Sequence, residues 1–205
     1  RLLYAGTIAN GASVWFGLWP FEFAQPEMKA VVEMNRFLAN HAAYYQNTRS
    51  EARVALVWSD TTANHYAGSD AQQIELDRVP QRSEVGNLNG EFSGLADALI
   101  RSQTPFDVID DVTLEREELR RYAAIFLPNV ACMSPRTAER LTEYVRQGGG
   151  LFATFETSLY DEVGLRRKDF ALAEVLGVQA ENRVVGPKRW DFMKPRAASP
   201  LLAGI

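Results

Sequence analysis

The segment from residue 123 to 157 limits the possible folds more than any other. An apolar run, Ala123 to Leu127, closes on Pro128-Asn129, and Ser134-Pro135 then opens a helical stretch. Ala138, Leu141, Tyr144 and Val145 give that stretch one buried stripe, and Gly148-Gly149-Gly150 lead directly into a second apolar run, Leu151 to Phe155. A run bounded by turn residues, a capped amphipathic helix with glycine at its end, and another run describe a strand, helix, strand crossover. A crossover of this length returns the chain in the same direction with right-handed sense, so the two strands are parallel.

The same alternation extends upstream. Val54 to Trp58 is a near-continuous apolar strand of the kind buried on both faces of a parallel sheet, and it ends at Ser59-Asp60. Phe92, Leu95, Ala96, Leu99 and Ile100 recur at helical spacing, and Phe106 to Ile109 form a second short strand. Thr113 is expected to cap the next helix, with Glu115, Glu117 and Glu118 in its first turns. Between the first strand and the Phe92 helix, residues 61–90 are polar, carry Gly68, Pro80, Gly86 and Gly90, and read as one long loop. Past the crossover, a short helix is expected from Phe170 to Leu176, stopped by Gly177, and then a weaker strand near Asn182 to Val185. The predicted fold is α/β, a doubly wound and mostly parallel sheet.

Residues 1–50 read differently. Ala12 to Leu18 have strand composition, and a helix is expected from about Pro26 to Tyr45. Met28, Val31, Val32, Leu38, Ala42 and Tyr45 share one face of it, widened by Met34, Phe37 and Tyr44, so burial on more than one side is predicted. A lone strand and helix cannot close a core, which makes this region one unit of a repeating layer architecture and the chain an expected piece of a longer protein. The predicted domains are therefore 1–50 and 51–205.

Composition excludes several function classes. With 46% apolar and 23% charged residues the 205-residue chain can bury a sizeable core, and its net charge of −4 contains no Lys/Arg block able to track nucleic acid or an anionic membrane. No apolar run is long enough to span a bilayer, and no charged start with an apolar core and cleavage site is visible. A single cysteine, Cys132, rules out an intrachain disulfide and leaves the compartment unassigned. Two separated histidines, His41 and His65, give no ligand set for a metal, so no metal or cofactor is predicted. His41, inside the first long helix, is read as a core or interface histidine.

In a doubly wound sheet ligands bind beyond the carboxyl ends of the strands, and those ends carry Asp60, Asp110, Asn129 and Glu156. Asp60, Asn129 and Glu156, with Trp15 as a ring able to stack on a sugar, are the candidate ligand-binding residues. The plainer reading is that strand ends meet solvent and are polar for that reason, and that Trp15 belongs to a core. Neighbouring acids, Asp110-Asp111, Glu117-Glu118 and Asp161-Glu162, point in different directions on any regular element and are read as capping or surface charge. The triple glycine follows a helix and precedes a strand, the reverse of a phosphate-binding loop.

The crossover and its glycine turn resemble the class I glutamine amidotransferase-like (flavodoxin-like) fold. That resemblance implies a nucleophilic cysteine on the sharp turn after the second strand, whereas Leu151-Phe152-Ala153-Thr154-Phe155-Glu156-Thr157 contains no thiol. More specifically, Tyr144 to Leu151, Ser158 to Glu162, Leu172 to Val178 and the Leu127-Pro128-Asn129 strand end resemble the trimerisation domain of family 42 β-galactosidases and allied glycoside hydrolases. The resemblance implies that residues 1–50 are the last strand and helix of a TIM barrel, a strand-helix remnant ahead of the amidotransferase-like domain. It also implies that the catalytic glutamates lie on barrel strands outside this sequence, so no catalytic residue is assigned here. The expected function is a non-catalytic oligomerisation or scaffold domain of a β-galactosidase-like glycoside hydrolase. Its implied partners are copies of itself, as in a trimer, and the carbohydrate substrate of the parent enzyme, with no nucleic acid and no membrane. Two alternatives remain at this level: a Cys132-dependent amidotransferase- or peptidase-like hydrolase, and a module that senses a small polar ligand at the strand-end rim.

Overall fold

The computed structural model describes residues 2–9, 11–14, 24–66 and 87–181. The chain divides into two compact units, Arg1–Glu51 and Ala52–Ile205.

In the first unit helix α1 spans Leu2–Ala9 and α2 spans Met28–Asn40. Tyr4, nearly inaccessible, donates its hydroxyl to Asn35 at 3.3 Å. The opening of the unit is thus helical, where the sequence suggested nothing ahead of the first strand. Ala12 to Val14 form no strand, and the remainder of the expected strand, Trp15 included, lies outside the described residues. The prediction that α2 is buried on more than one side is corrected as well: none of its residues is buried, and Val32 and Phe37 are about half exposed. Apolar spacing marks a face fit for burial, but burial needs a second layer. The helix ends at Asn40, and a 3-10 turn at Ala42–Tyr44 follows His41. His41 is consequently a half-buried C-cap that stacks on Phe37 at 4.3 Å, and not a core residue.

The second unit is built on four parallel strands: β1 Val54–Val57, β2 Phe106–Ile109, β3 Ala124–Leu127 and β4 Gly150–Ala153. Their order is β2-β1-β3-β4. Among the described residues five helices accompany them: α3 Asp60–His65, α4 Leu88–Arg101, α5 Asp111–Arg116, α6 Pro135–Arg146 and α7 Ala173–Leu176. Side chains alternate across each strand. Ala55, Val57, Ile125 and Leu127 point into one core with Leu114 of α5, Ala138, Leu141 and Tyr144 of α6, and Leu172. Leu56 points the other way and is equally buried, and α4 packs against β1. Helices on both faces of a parallel sheet make the unit doubly wound, as the sequence implies. Among the described strands β1 is interior and inaccessible on both faces, whereas β4 stands at one end of the order and its Phe152 is 45% exposed.

The helix ends follow from local chemistry. Ser134 accepts from the Thr137 N–H at 3.1 Å with Pro135 in the first turn, as the sequence suggests. Gly148 adopts φ +94 just past α6, and Gly177 adopts φ +66 after α7. Thr113 is not a cap: Asp110 is, accepting from the Thr113 N–H at 2.8 Å, so α5 starts earlier than expected. An aspartate after a strand competes well for that position, and the threonine then falls within the first turn. The stretch 61–90, read as one long loop, is helical at both of its described ends, and residues 67–86 lie outside the described residues. α3 occupies its start, and α4 begins at Leu88 because Asn87 accepts from the Gly90 N–H at 2.7 Å. The strand expected at Asn182 to Val185 lies outside the described residues.

Candidate functional site

All four strands run the same way, so their carboxyl ends share one rim, and the order reverses between β1 and β3, where crevices form in such sheets. β3 ends on Pro128 and then Asn129, which is fully buried and adopts φ 45. β4 ends at Ala153, and the next residues turn sharply: Phe155 has φ 49 and Ser158 φ 67. Left-handed backbone at a bulky residue such as Phe155 is a true outlier and is held only where surroundings impose it. Here Thr157 Oγ1 donates to Leu127 O at 3.0 Å, and the Thr157 N–H donates to Thr154 O at 3.2 Å. Ser158 donates its N–H to Val130 O at 2.9 Å, and its hydroxyl accepts from the Leu172 N–H at 3.2 Å. The strained turn after the glycine-led strand exists, and a phenylalanine occupies its strained position.

The two turns are joined side by side. The Asn129 N–H donates to Thr154 Oγ1 at 2.9 Å, and Asn129 Oδ1 accepts from the Glu156 N–H at 3.3 Å. Thr154 in turn donates its hydroxyl in a hydrogen bond to Glu91 Oε2 from the first turns of α4. Burial raises the Glu91 pKa above the ordinary carboxylate range, and the threonine bond offsets only part of that. On the other side Glu156 Oε2 accepts from the Tyr66 and Tyr160 hydroxyls, the latter at 3.4 Å, and those two rings meet edge to face at 5.2 Å. One polar chain therefore runs Glu91, Thr154, Asn129, Glu156, Tyr66 and Tyr160. Asn129 Nδ2 is the one buried side-chain polar atom without a partner among the described residues.

The sequence candidates fare unequally. Asn129 and Glu156 are brought together. Asp60 is exposed and takes the Trp58 indole N–H at 3.0 Å, bonded to neither of them. Asp110 is a helix cap, and Asp111 accepts from Ser59 Oγ at 3.2 Å and the Thr61 N–H at 2.9 Å, its pKa raised by burial. Asp161 accepts from the Val163 and Leu165 N–H groups, closing its own loop. Trp15 lies outside the described residues. Glu91, Thr154, Tyr66 and Tyr160 escaped the sequence reading. Glu91 was hidden by placing the start of its helix too late, and the Asn87 cap was the signal that would have moved it.

Cys132 sits inside the unit, fully buried against Tyr66, Ala131 and Tyr160. Its N–H donates to Thr62 Oγ1 at 3.1 Å, and burial, aided by Asp161 and Asp111, pushes its pKa up to about 11. Such a thiol supplies almost no thiolate near neutral pH, and His65 is exposed at the end of α3.

Residues 77–198 match the family described as "GLMA-like, second domain". β-Galactosidase BbgII of Bifidobacterium bifidum is 27% identical over 139 residues, 66% of this chain but only 18% of the relative's length. The crystal structure of a β-galactosidase from Bacillus circulans sp. alkalophilus superposes with a TM-score of 0.60 at 25% identity, over 78% of this chain and 22% of that one. Gan42B, a GH42 β-galactosidase, shares the fold with a TM-score of 0.56 at 22% identity, over 85% of this chain and 23% of that one. With its parallel sheet and its strained turn without a nucleophile, the chain belongs to the GLMA-like second-domain family, the amidotransferase-like domain known as the trimerisation domain in family 42 β-galactosidases.

Proposed function

We propose that the chain is a non-catalytic assembly domain of a β-galactosidase-like glycoside hydrolase. One observation carries the reading: the turn that would present a nucleophile presents Phe155 and Glu156, while the lone thiol is buried with its pKa raised. Acyl transfer from an amide needs an accessible thiolate beside a base and an oxyanion site, and this turn lacks the sulfur. The family assignment supports the association with a glycosidase, and the relatives span several times the length matched here. In this reading residues 1–50 are the closing strand and helix of a TIM barrel, the uncovered apolar stripe of α2 packs on the rest of that barrel, and copies of the protein associate, as trimers. The carbohydrate substrate is then handled by the barrel.

Sedimentation equilibrium on the parent protein tests the proposal, run beside the same protein truncated before Glu51. The full protein should be oligomeric and the truncation monomeric with its glycosidase sites unassembled. An oligomer that survives removal of residues 51–205 would overturn the assembly role, and glutaminase activity abolished by Cys132→Ala would overturn the non-catalytic one.

A further inference from the structure

We propose that the strand-end rim at Asn129, Phe155 and Glu156 is a binding site for a neutral polyhydroxylated ligand, a sugar or similar polyol. The inference is independent of the assembly reading, since it rests on unsatisfied groups in one copy. Three hydrogen-bonding positions have no partner among the described residues. Asn129 Nδ2 is a donor without a partner in a fully buried side chain, so only a group entering the turn satisfies it. Glu91 and Glu156 each spend one carboxylate oxygen, on Thr154 and on the two tyrosines, which leaves the second oxygen of each as a free acceptor. Between Thr154 and Glu156, both bonded to Asn129, stands the ring of Phe155, 45% exposed.

Ligand chemistry follows from that inventory. An anion would face two carboxylates. A cation would suit them but would lie against an amide donor that it cannot satisfy, and no cluster of three His, Cys, Asp or Glu suited to a metal exists among the described residues. A hydroxyl donates to a carboxylate and accepts from an amide with the same atom. A sugar ring also offers an apolar C–H face to the exposed phenyl group, the usual combination of apolar contact with a few placed polar groups in small-molecule sites. The backbone agrees with this. Left-handed φ at Asn129 is a conformation asparagine tolerates, whereas at Phe155 it is strain, of the kind found where a site is held ready for a ligand.

The test is titration of the 205-residue chain with galactose, glucose, glycerol and spermidine, followed by amide NMR shifts. Asn129→Asp removes the free donor while keeping the oxygen that caps Glu156 N–H and a residue that tolerates positive φ. Phe155→Gly removes the ring and suits the strained backbone. The expected result is millimolar sugar binding that shifts residues 154–156 and 91, weakened about tenfold by Asn129→Asp, the factor one lost hydrogen bond of this kind carries, and weakened also by Phe155→Gly through the lost apolar contact with the ring. Phe155→Gly should bind less well without melting earlier. No shift with any sugar, unchanged affinity in both variants, or a preference for spermidine over the sugars would each overturn the proposal.

Discussion

The Tyr144 ring lies over Gly149 so closely that a Cβ built on the glycine would fall 2.2 Å from the ring carbon Cζ. Tyr144 has no room to yield: it is nearly inaccessible, and its hydroxyl donates to Tyr122 O at 3.1 Å and Gly150 O at 3.3 Å. Of the three glycines, Gly148 is required by its backbone at φ +94 and Gly149 by this ring. Gly149→Ala should therefore destabilise the chain by about 1–3 kcal/mol, the range for overpacking a filled core, read as a lower midpoint in urea. Tyr144→Phe should cost about 1–3 kcal/mol through the loss of the hydroxyl's bond to the buried carbonyls beside it, and the double variant should lose less than the sum because the two act at one contact.

Asp110 gives a pH-dependent prediction. Its carboxyl is held below the ordinary value of 3.8, first by the Thr113 N–H and then by the Thr113 hydroxyl. A folded-state pKa below the unfolded one means that the stabilisation is complete above the unfolded value and fades as pH falls through the folded one. Asp110→Ala should lose about 1 kcal/mol at neutral pH, as for other lost caps, and the gap to the parent chain should narrow, without closing, as pH falls through the folded-state pKa, because the protonated carboxyl still accepts from the Thr113 N–H. Asp110→Asn keeps the cap oxygen and should be less stable than the parent only while the aspartate is ionised. Denaturation midpoints measured across that pH range check both statements.

What was legible and what was not divide along a physical line. Val54 to Val57, Ala124 to Leu127 and the α6 crossover were legible because burial and short-range capping write themselves into a few consecutive residues. The parallel order followed from crossover length alone. Asn129 and Glu156 were identified as rim residues because strand ends are local. Their coupling was not, because the groups that complete it, Glu91, Thr154 and Tyr66, stand up to 90 positions away from their partners. The uncovered face of α2 shows the converse: Met28 to Leu38 carry a burial pattern, and a pattern does not say which layer covers it. A positive φ at Phe155 is likewise invisible in sequence, since the residue has no propensity for it and the restraint comes from Leu127 at the end of β3 and Val130 just past it.

Cys132 should be chemically silent in the native chain. With the thiol fully buried and its pKa pushed up to about 11, the thiolate fraction at pH 7.5 is on the order of one in a thousand or less, before access is considered. Iodoacetamide should label it only in denaturant, with a midpoint that coincides with loss of tertiary structure by fluorescence. Labelling well below that midpoint would mean that the Tyr66, Ala131 and Tyr160 cluster opens locally.

Arg167 ties the segment after β4 to the end of β3 through its guanidinium, and the planar fork is what makes the tie. It donates to Tyr160 O from one nitrogen and to Met133 O from the other, the latter at 2.9 Å, while its own N–H holds Leu159 O at 2.8 Å. Two carbonyls from different turns are thus satisfied by one rigid group. Arg167→Ala should cost about 1–3 kcal/mol, chiefly through Met133 O, since Tyr160 O keeps the Met133 N–H at 3.1 Å, and Arg167→Lys should recover less than half, because an ammonium on a flexible stem cannot span both positions as a fork does. The segment it secures carries Tyr160, a partner of Glu156, so Arg167→Ala should also loosen the rim. Amide exchange should rise at Ser158 to Tyr160 in Arg167→Ala while β1 stays protected. Uniform loss of protection across both would instead show that the guanidinium supports the whole unit and not this one connection.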